Sequence, residues 1–99
     1  MKAKLIQYTV KPEMVEENER LVKEVFKQLK AKNPKGFAYS TNKLEDGKTF
    51  VHVVSNENPD QNHLMELEAF KNFQLNIKER CEVQPTFHEI ERIGAFNSI

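Results

Sequence analysis

Apolar and polar residues alternate from Lys4 to Val10 (KLIQYTV), a run rich in β-favouring side chains that Pro12 ends, so the pattern predicts a strand. From Glu13 the period changes. Val15, Leu21, Val22, Val25, Phe26 and Leu29 recur at three- and four-residue spacings and mark one stripe of a helix running to about Lys32. Glu13, Glu16, Glu17 and Glu19 stand early in it and Lys27, Lys30 and Lys32 late, the order that complements a helix dipole on a solvated face. NPKG (Asn33 to Gly36) stops the helix with turn chemistry. FAYSTNKL and KTFVHVVS then flank EDG, which predicts a hairpin whose turn ends on a left-handed Gly47.

NENPDQ (Asn56 to Gln61) reads as a loop in which Asn58 is the N-cap and Pro59 the first position of a second helical region. Leu64 and Leu67 belong to its first piece. Phe70, Phe73, Ile77 and Cys81 form the stripe of a second piece ending near Glu82, and Pro85 closes the region. TFHEIERIGAF (Thr86 to Phe96) alternates as the last strand. The element order is β-α-β-β-α-β, the ferredoxin-like α+β arrangement in which one four-stranded antiparallel sheet carries both helices on a single face.

That arrangement leaves the second sheet face bare, yet the strands are apolar on both. Phe50 and Val54 point one way and Val51 and Val53 the other, and Ile6, Tyr8 and Val10 oppose Leu5. Two helices cover one set only. Association of two bare faces buries the other, so the expected state is a homodimer with a pocket between each sheet and its own helices.

Composition narrows the function classes. At 99 residues the chain is expected to form one domain, residues 1–99, small enough to profit from such a second interface. Fifteen basic and fifteen acidic residues cancel, which argues against nucleic acid as a partner and against an anionic membrane. The opening MKAKLIQYTV is interrupted by Lys4 and Gln7, unlike a signal sequence, and no later run approaches a membrane span, so the expected compartment is the cytoplasm. The single cysteine, Cys81, forms no internal disulfide, and its place on an apolar stripe predicts a buried, inert thiol. No two histidines stand four apart on a helix, so no metal site is expected.

Candidate chemistry rests on histidine and tyrosine. His63 falls at a helix start, where solvation accounts for it, and His88 alternates with Ile90 and Arg92 in a packing or surface role. His52 differs, because it lies among valines in the third strand. A three-residue EDG loop pairs Leu44 with Lys48 and sets Ser40 opposite His52 and Tyr39 opposite Val53, whereas a two-residue loop brings Thr41 opposite His52. Either register gives the imidazole a hydroxyl neighbour. One reading is a buried structural histidine satisfied by that hydroxyl. The other is a catalytic His52, a base or donor facing a small cavity and held neutral by burial, with Tyr8 and Tyr39 in the substrate pocket.

The successive segments YTVKPE, EENERLV, VFKQL, NPKGFAY, LEDGKTFVH, LMELEAFKNFQLNIKERC and IERIGAF, in this order, resemble the antibiotic biosynthesis monooxygenase-like superfamily of dimeric α+β barrels, in particular an uncharacterised group of about this length. The resemblance implies a homodimer with a sheet-helix pocket. It points to cofactor-independent oxygenases of polycyclic aromatics and to haem-degrading enzymes. The haem degraders use an Asn on the first strand, a Trp on the penultimate helical region and a His one turn further on as iron ligand. Ile6, Leu64 and Gln74 occupy those positions here, and the chain has no tryptophan, so no haem and no other cofactor is expected. Two functions follow as expectations. One is an oxygenase-like enzyme acting on a small aromatic or quinone-like molecule; the other is a non-catalytic dimeric ligand-binding or stress-related module.

Overall fold

The computed structural model describes residues 2–58 and 60–97. Four strands, β1 (Lys2–Val10), β2 (Phe37–Lys43), β3 (Thr49–Asn56) and β4 (Cys81–Glu91), form one antiparallel sheet in the order β2-β3-β1-β4. The long helix α1 (Val15–Lys32) and the short helices α2 (Glu68–Gln74) and α3 (Ile77–Arg80) complete the β-α-β-β-α-β plan, with the second helical unit in two pieces. A 3₁₀ turn at Pro12–Met14 takes the place of the first expected helical residues, and α1 begins at Val15. Its C-terminus is Asn33 in the left-handed region, whose N–H donates to the Leu29 carbonyl at 2.8 Å.

Helices and sheet meet over Tyr8, Val10 and Phe50 from the strands, Val22 and Val25 from α1, and Leu67, Ala69 and Phe73 from the second helical region. Each large side chain so buried stabilises the fold by about 1.5–3 kcal/mol. A side chain also ties the helices together, because Gln28 Oε1 on α1 accepts the Ala69 N–H at 2.9 Å and so caps the start of α2. On the opposite sheet face Leu5 pairs with Val53 and Gln7 with Val51; Leu5, Val51 and Val53 are half-buried there and Val83 is 54% exposed.

Several expectations are corrected. The hairpin register sets Thr41 opposite His52, Ser40 opposite Val53 and Tyr39 opposite Val54, so the three-residue loop is not the one formed. The Leu44 N–H donates to the Thr49 carbonyl and encloses a four-residue connection, within which Gly47 has the expected positive φ of 76°. Asp46 accounts for the difference: its carboxylate accepts the N–H groups of Lys48 and Thr49 and thereby holds Lys48 in the turn.

No helix starts at Asn58, which accepts from Asp60 and Gln61 in a turn, while the expected role of Pro59 lies outside the described residues. Leu64 packs from a turn and Leu67 from the extended position that caps the start of α2, not from a helical piece. Cys81 is the first residue of β4 and pairs with Val10, because Asn76 at φ 64° breaks the helix and Arg80 ends its last turn.

Pro85 does not close the helical region; it lies inside β4, which ends at Glu91 instead of Phe96. This is an edge strand, and its register against β1 shifts twice, from Gln7–Thr86 to Thr9–Val83 and then to Val10–Cys81. A residue without an N–H is tolerated at such an irregular edge.

Candidate functional site

Tyr8, Tyr39 and His52 converge on the helix-facing side of the sheet. In the β1–β3 register His52 pairs with Ile6 and Tyr8 with Phe50, so the tyrosine is the diagonal neighbour of the imidazole. On the other side Thr41 pairs with His52 directly and Tyr39 stands diagonally. Diagonal positions are within reach of long aromatic side chains. The Tyr8 hydroxyl lies 2.7 Å from His52 Nε2, and His52 Nδ1 lies 2.6 Å from the Tyr39 hydroxyl and 3.0 Å from Thr41 Oγ1. Both ring nitrogens are therefore engaged.

Behind Tyr8 the contacts continue into the helices. Asn18 on α1, fully buried, donates from Nδ2 to the Tyr8 oxygen at 2.9 Å. Arg80, at the end of α3 and 3% exposed, donates from Nε to Asn18 Oδ1 at 3.2 Å. Its two terminal nitrogens donate to the Leu75 and Phe73 carbonyls at 3.0 and 2.6 Å, and its guanidinium lies 5.1 Å from the Phe73 ring centre.

Donor arithmetic gives the chain a direction. Arginine only donates, so Asn18 must present its oxygen to Arg80 and its amide hydrogens to Tyr8. Tyr8, accepting from Asn18, spends its own proton on His52 Nε2. A neutral imidazole that accepts at Nε2 carries its hydrogen on Nδ1, facing Tyr39 and Thr41.

Burial sets the protonation states. It lowers the His52 pKa to about 4, so the ring is neutral at neutral pH. It raises Tyr39 to about 12, against a smaller opposing effect of the bond to Thr41. Tyr8 is raised too, chiefly by burial, with the Asn18 hydrogen bond acting the other way. Burial also lowers Arg80 and raises the Cys81 thiol. The site therefore presents neutral phenols and a neutral imidazole, with the Arg80 cation one residue behind.

Tyr8, Tyr39 and His52 line a cavity of about 130 Å³ whose other walls include Val54, Phe70, Phe73 and Ile77. An apolar space of this size holds one benzene-sized ring. It adjoins a wider groove of about 820 Å³, with Ile6, Val54, Leu64, Phe70, Gln74 and Phe87 common to both. The three positions that the family resemblance associates with haem, Ile6, Leu64 and Gln74, do surround this space but supply no imidazole, and His52 has neither nitrogen to spare. The residues present do not suit a haem iron. Among the described residues no group of three or more His, Cys, Asp and Glu could hold a metal ion.

The remaining candidates separate. Ser40 pairs with Val53 and is not among the partners of His52. His88 is exposed opposite Leu5 on the far sheet face. Cys81 is buried, as expected, although from a strand. His63 is not simply solvated: it is half-buried with its ring edge-on to Phe37 at 5.2 Å. Asn18 and Arg80 supply two of the six residues of the polar chain without having been singled out from sequence. A signal existed, since Asn18 stands between Val15 and Val22, and Arg80 follows Phe73 and Ile77, at core-facing spacings that a polar residue occupies only with partners.

No family model and no curated protein matches the sequence. Solved structures do. An antibiotic biosynthesis monooxygenase superposes with a TM-score of 0.73 at 16% identity over 95% of this chain and 100% of its own. A Nitrosomonas europaea protein provisionally given the same name reaches 0.76 at 11% identity over 95% and 100%, and a conserved protein from Methanosarcina mazei Go1 reaches 0.69 at 14% over 93% of both chains. No helix among the described residues is long and apolar enough to cross a membrane. At these identities the likeness is one of fold, and the fold is that of the antibiotic biosynthesis monooxygenase structures.

Proposed function

We propose that the protein takes a small aromatic or quinone-like molecule into the cavity between sheet and helices and acts on it as a cofactor-independent, oxygenase-like enzyme. The observation that carries this reading is an apolar cavity of about 130 Å³ whose lining includes the hydrogen-bonded set Tyr8, His52 and Tyr39. Names borne by the fold neighbours point the same way.

His52, kept neutral, serves as a relay and not as a fixed charge. A phenol gives its proton to the Tyr8 oxygen as the Tyr8 proton moves to Nε2, and the imidazolium so formed, its Nδ1–H held by Tyr39 and Thr41, stays beside the phenolate until its proton leaves with the departing water. The phenolate so formed is electron-rich enough to reduce dioxygen, the co-reactant. One oxygen atom enters the ring, the phenol becomes a quinone, and the other atom leaves as water, which balances the four electrons lost by the ring. The working unit in this reading is a cytoplasmic homodimer. The dimer is supported by the incompletely buried apolar residues Leu5, Val51, Val53 and Val83 on the open face, which a second copy presenting the same patch across a two-fold axis would cover.

The test is an oxygen electrode and an absorbance trace with 1-naphthol and cofactor-free protein. Oxygen uptake matched by 1,4-naphthoquinone supports the enzyme. A melting-temperature rise without uptake assigns the cavity to binding alone, and the absence of both defeats the reading.

A further inference from the structure

The chain has two tyrosines and no tryptophan, and both phenols bond the same imidazole, Tyr8 at Nε2 and Tyr39 at Nδ1, 2.7 and 2.6 Å away. Every readily oxidised aromatic ring of the protein therefore meets at one buried base. A phenol that loses an electron becomes a strong acid, and in an apolar interior the resulting cation is costly unless its proton leaves at the same moment. Tyr8 has the acceptor for that proton: its hydrogen already points at Nε2, because Asn18 donates to the phenol oxygen at 2.9 Å. Tyr39 does not, since Nδ1 carries the ring hydrogen and has no lone pair to accept with. The Tyr8 ring is 2% exposed, stacked on Phe50 at 5.6 Å and tilted against Phe73 at 6.2 Å, so a radical formed there is screened from bulk water.

We propose that Tyr8 and His52 form a one-electron redox pair that quenches neutral organic peroxyl radicals entering the cavity. The class of oxidant follows from the walls. Tyr8 and His52 line a space bounded also by Ile6, Val54, Phe70 and Phe73, which a neutral radical enters freely, whereas superoxide, an anion, must shed its hydration to do so. An electron passes from Tyr8 to the peroxyl radical as the phenol proton moves to Nε2, which gives a neutral tyrosyl radical, an imidazolium and a peroxide anion. His52 then hands that proton to the peroxide anion. The sum is one hydrogen atom moved from Tyr8 to the peroxyl oxygen, with a hydroperoxide released and the tyrosyl radical left behind. This activity consumes neither a phenol nor dioxygen, so it is present or absent independently of the oxygenase reaction.

The probe is the trichloromethylperoxyl radical, generated by pulse radiolysis of aerated solutions containing carbon tetrachloride. Tyrosyl absorbance is followed in the native protein, in Tyr39→Phe and in His52→Gln, with N-acetyltyrosinamide as the free phenol. In the native protein the radical forms at a rate that does not change with phosphate concentration, because the proton acceptor is internal, whereas the free phenol reacts faster as phosphate is added. Tyr39→Phe, whose sole tyrosine is Tyr8, keeps most of the radical yield. His52→Gln, with its fold checked by circular dichroism, forms the radical about a hundredfold more slowly, the worth of a positioned base. Native oxidation that accelerates with phosphate overturns the proposal without recourse to any variant. So does a folded Tyr39→Phe that yields no tyrosyl radical, or a folded His52→Gln that reacts as fast as the native protein. Should His52→Gln not fold, the phosphate comparison and Tyr39→Phe decide.

Discussion

Tyr8 donates to Nε2 of His52 at 2.7 Å because Asn18, at 2.9 Å, already occupies the phenol oxygen as a donor. Burial holds the imidazole in its neutral form with a folded-state pKa of about 4, against an ordinary value of 6.5. Between those values the unfolded chain binds the proton more readily, so stability rises with pH across that window and falls as pH is lowered through it. From pH 7 to pH 4 the loss attributable to His52 is about 3 kcal/mol. Urea unfolding at pH 7, 5.5 and 4 of the native protein and of His52→Gln checks this. The native curve should lose more over the interval, and equal losses would mean that the imidazole is charged in the fold.

The two tyrosines on His52 are not equivalent. Tyr8→Phe leaves Nε2 and the Asn18 amide without their partner in a buried place, a loss of about 2–3 kcal/mol. Tyr39→Phe leaves Thr41 still on Nδ1 and should cost about 1 kcal/mol. Chemical denaturation of the two variants gives the ordering, and a larger loss for Tyr39→Phe would refute the donor direction derived for the chain.

Arg80 joins α1 to the broken turn between α2 and α3. Replacing it by Met strands Asn18 Oδ1 and the Phe73 and Leu75 carbonyls, and the expected destabilisation is about 2–4 kcal/mol. Arg80→Lys keeps the charge but not the fork that reaches three acceptors, so it should recover less than half of the loss. Thermal unfolding of both variants tests the claim; full recovery by Lys would show that charge alone matters.

The open sheet face predicts association. Sedimentation velocity at micromolar concentration should give twice the chain mass, and Val53→Glu, which places a charge beside Leu5, should give the single chain with its helical circular dichroism intact. A native protein that sediments as one chain would rule out the dimer.

Legibility from sequence divides along physical lines. The element order follows from local periodicity, as with Val15, Val22, Val25 and Leu29 on α1 and the alternation around Tyr8, and those elements form where the pattern puts them. The register opposite His52 depends on whether Lys48 belongs to turn or strand, which Asp46 decides with two backbone hydrogen bonds that composition does not display. Cys81 fits a helical spacing from Ile77, but Asn76 adopts a left-handed conformation and the chain leaves the helix before reaching it. Arg80 and Asn18 are 62 positions apart, and no local rule pairs them. Tyr8, Tyr39 and His52 are legible as candidates because they share a face, whereas the proton direction through them becomes readable only with both helices in place.

The polar chain draws on nearly every part of the fold: Tyr8 from β1, Asn18 from α1, Tyr39 and Thr41 from β2, His52 from β3, and Arg80 from α3. A ligand seated against it therefore bears on all of these elements at once, and no partial opening of the molecule preserves its contacts. Such a ligand slows amide exchange across the sheet and α1 together, and the protection it confers tracks cooperative unfolding of the whole chain rather than the fraying of any one segment.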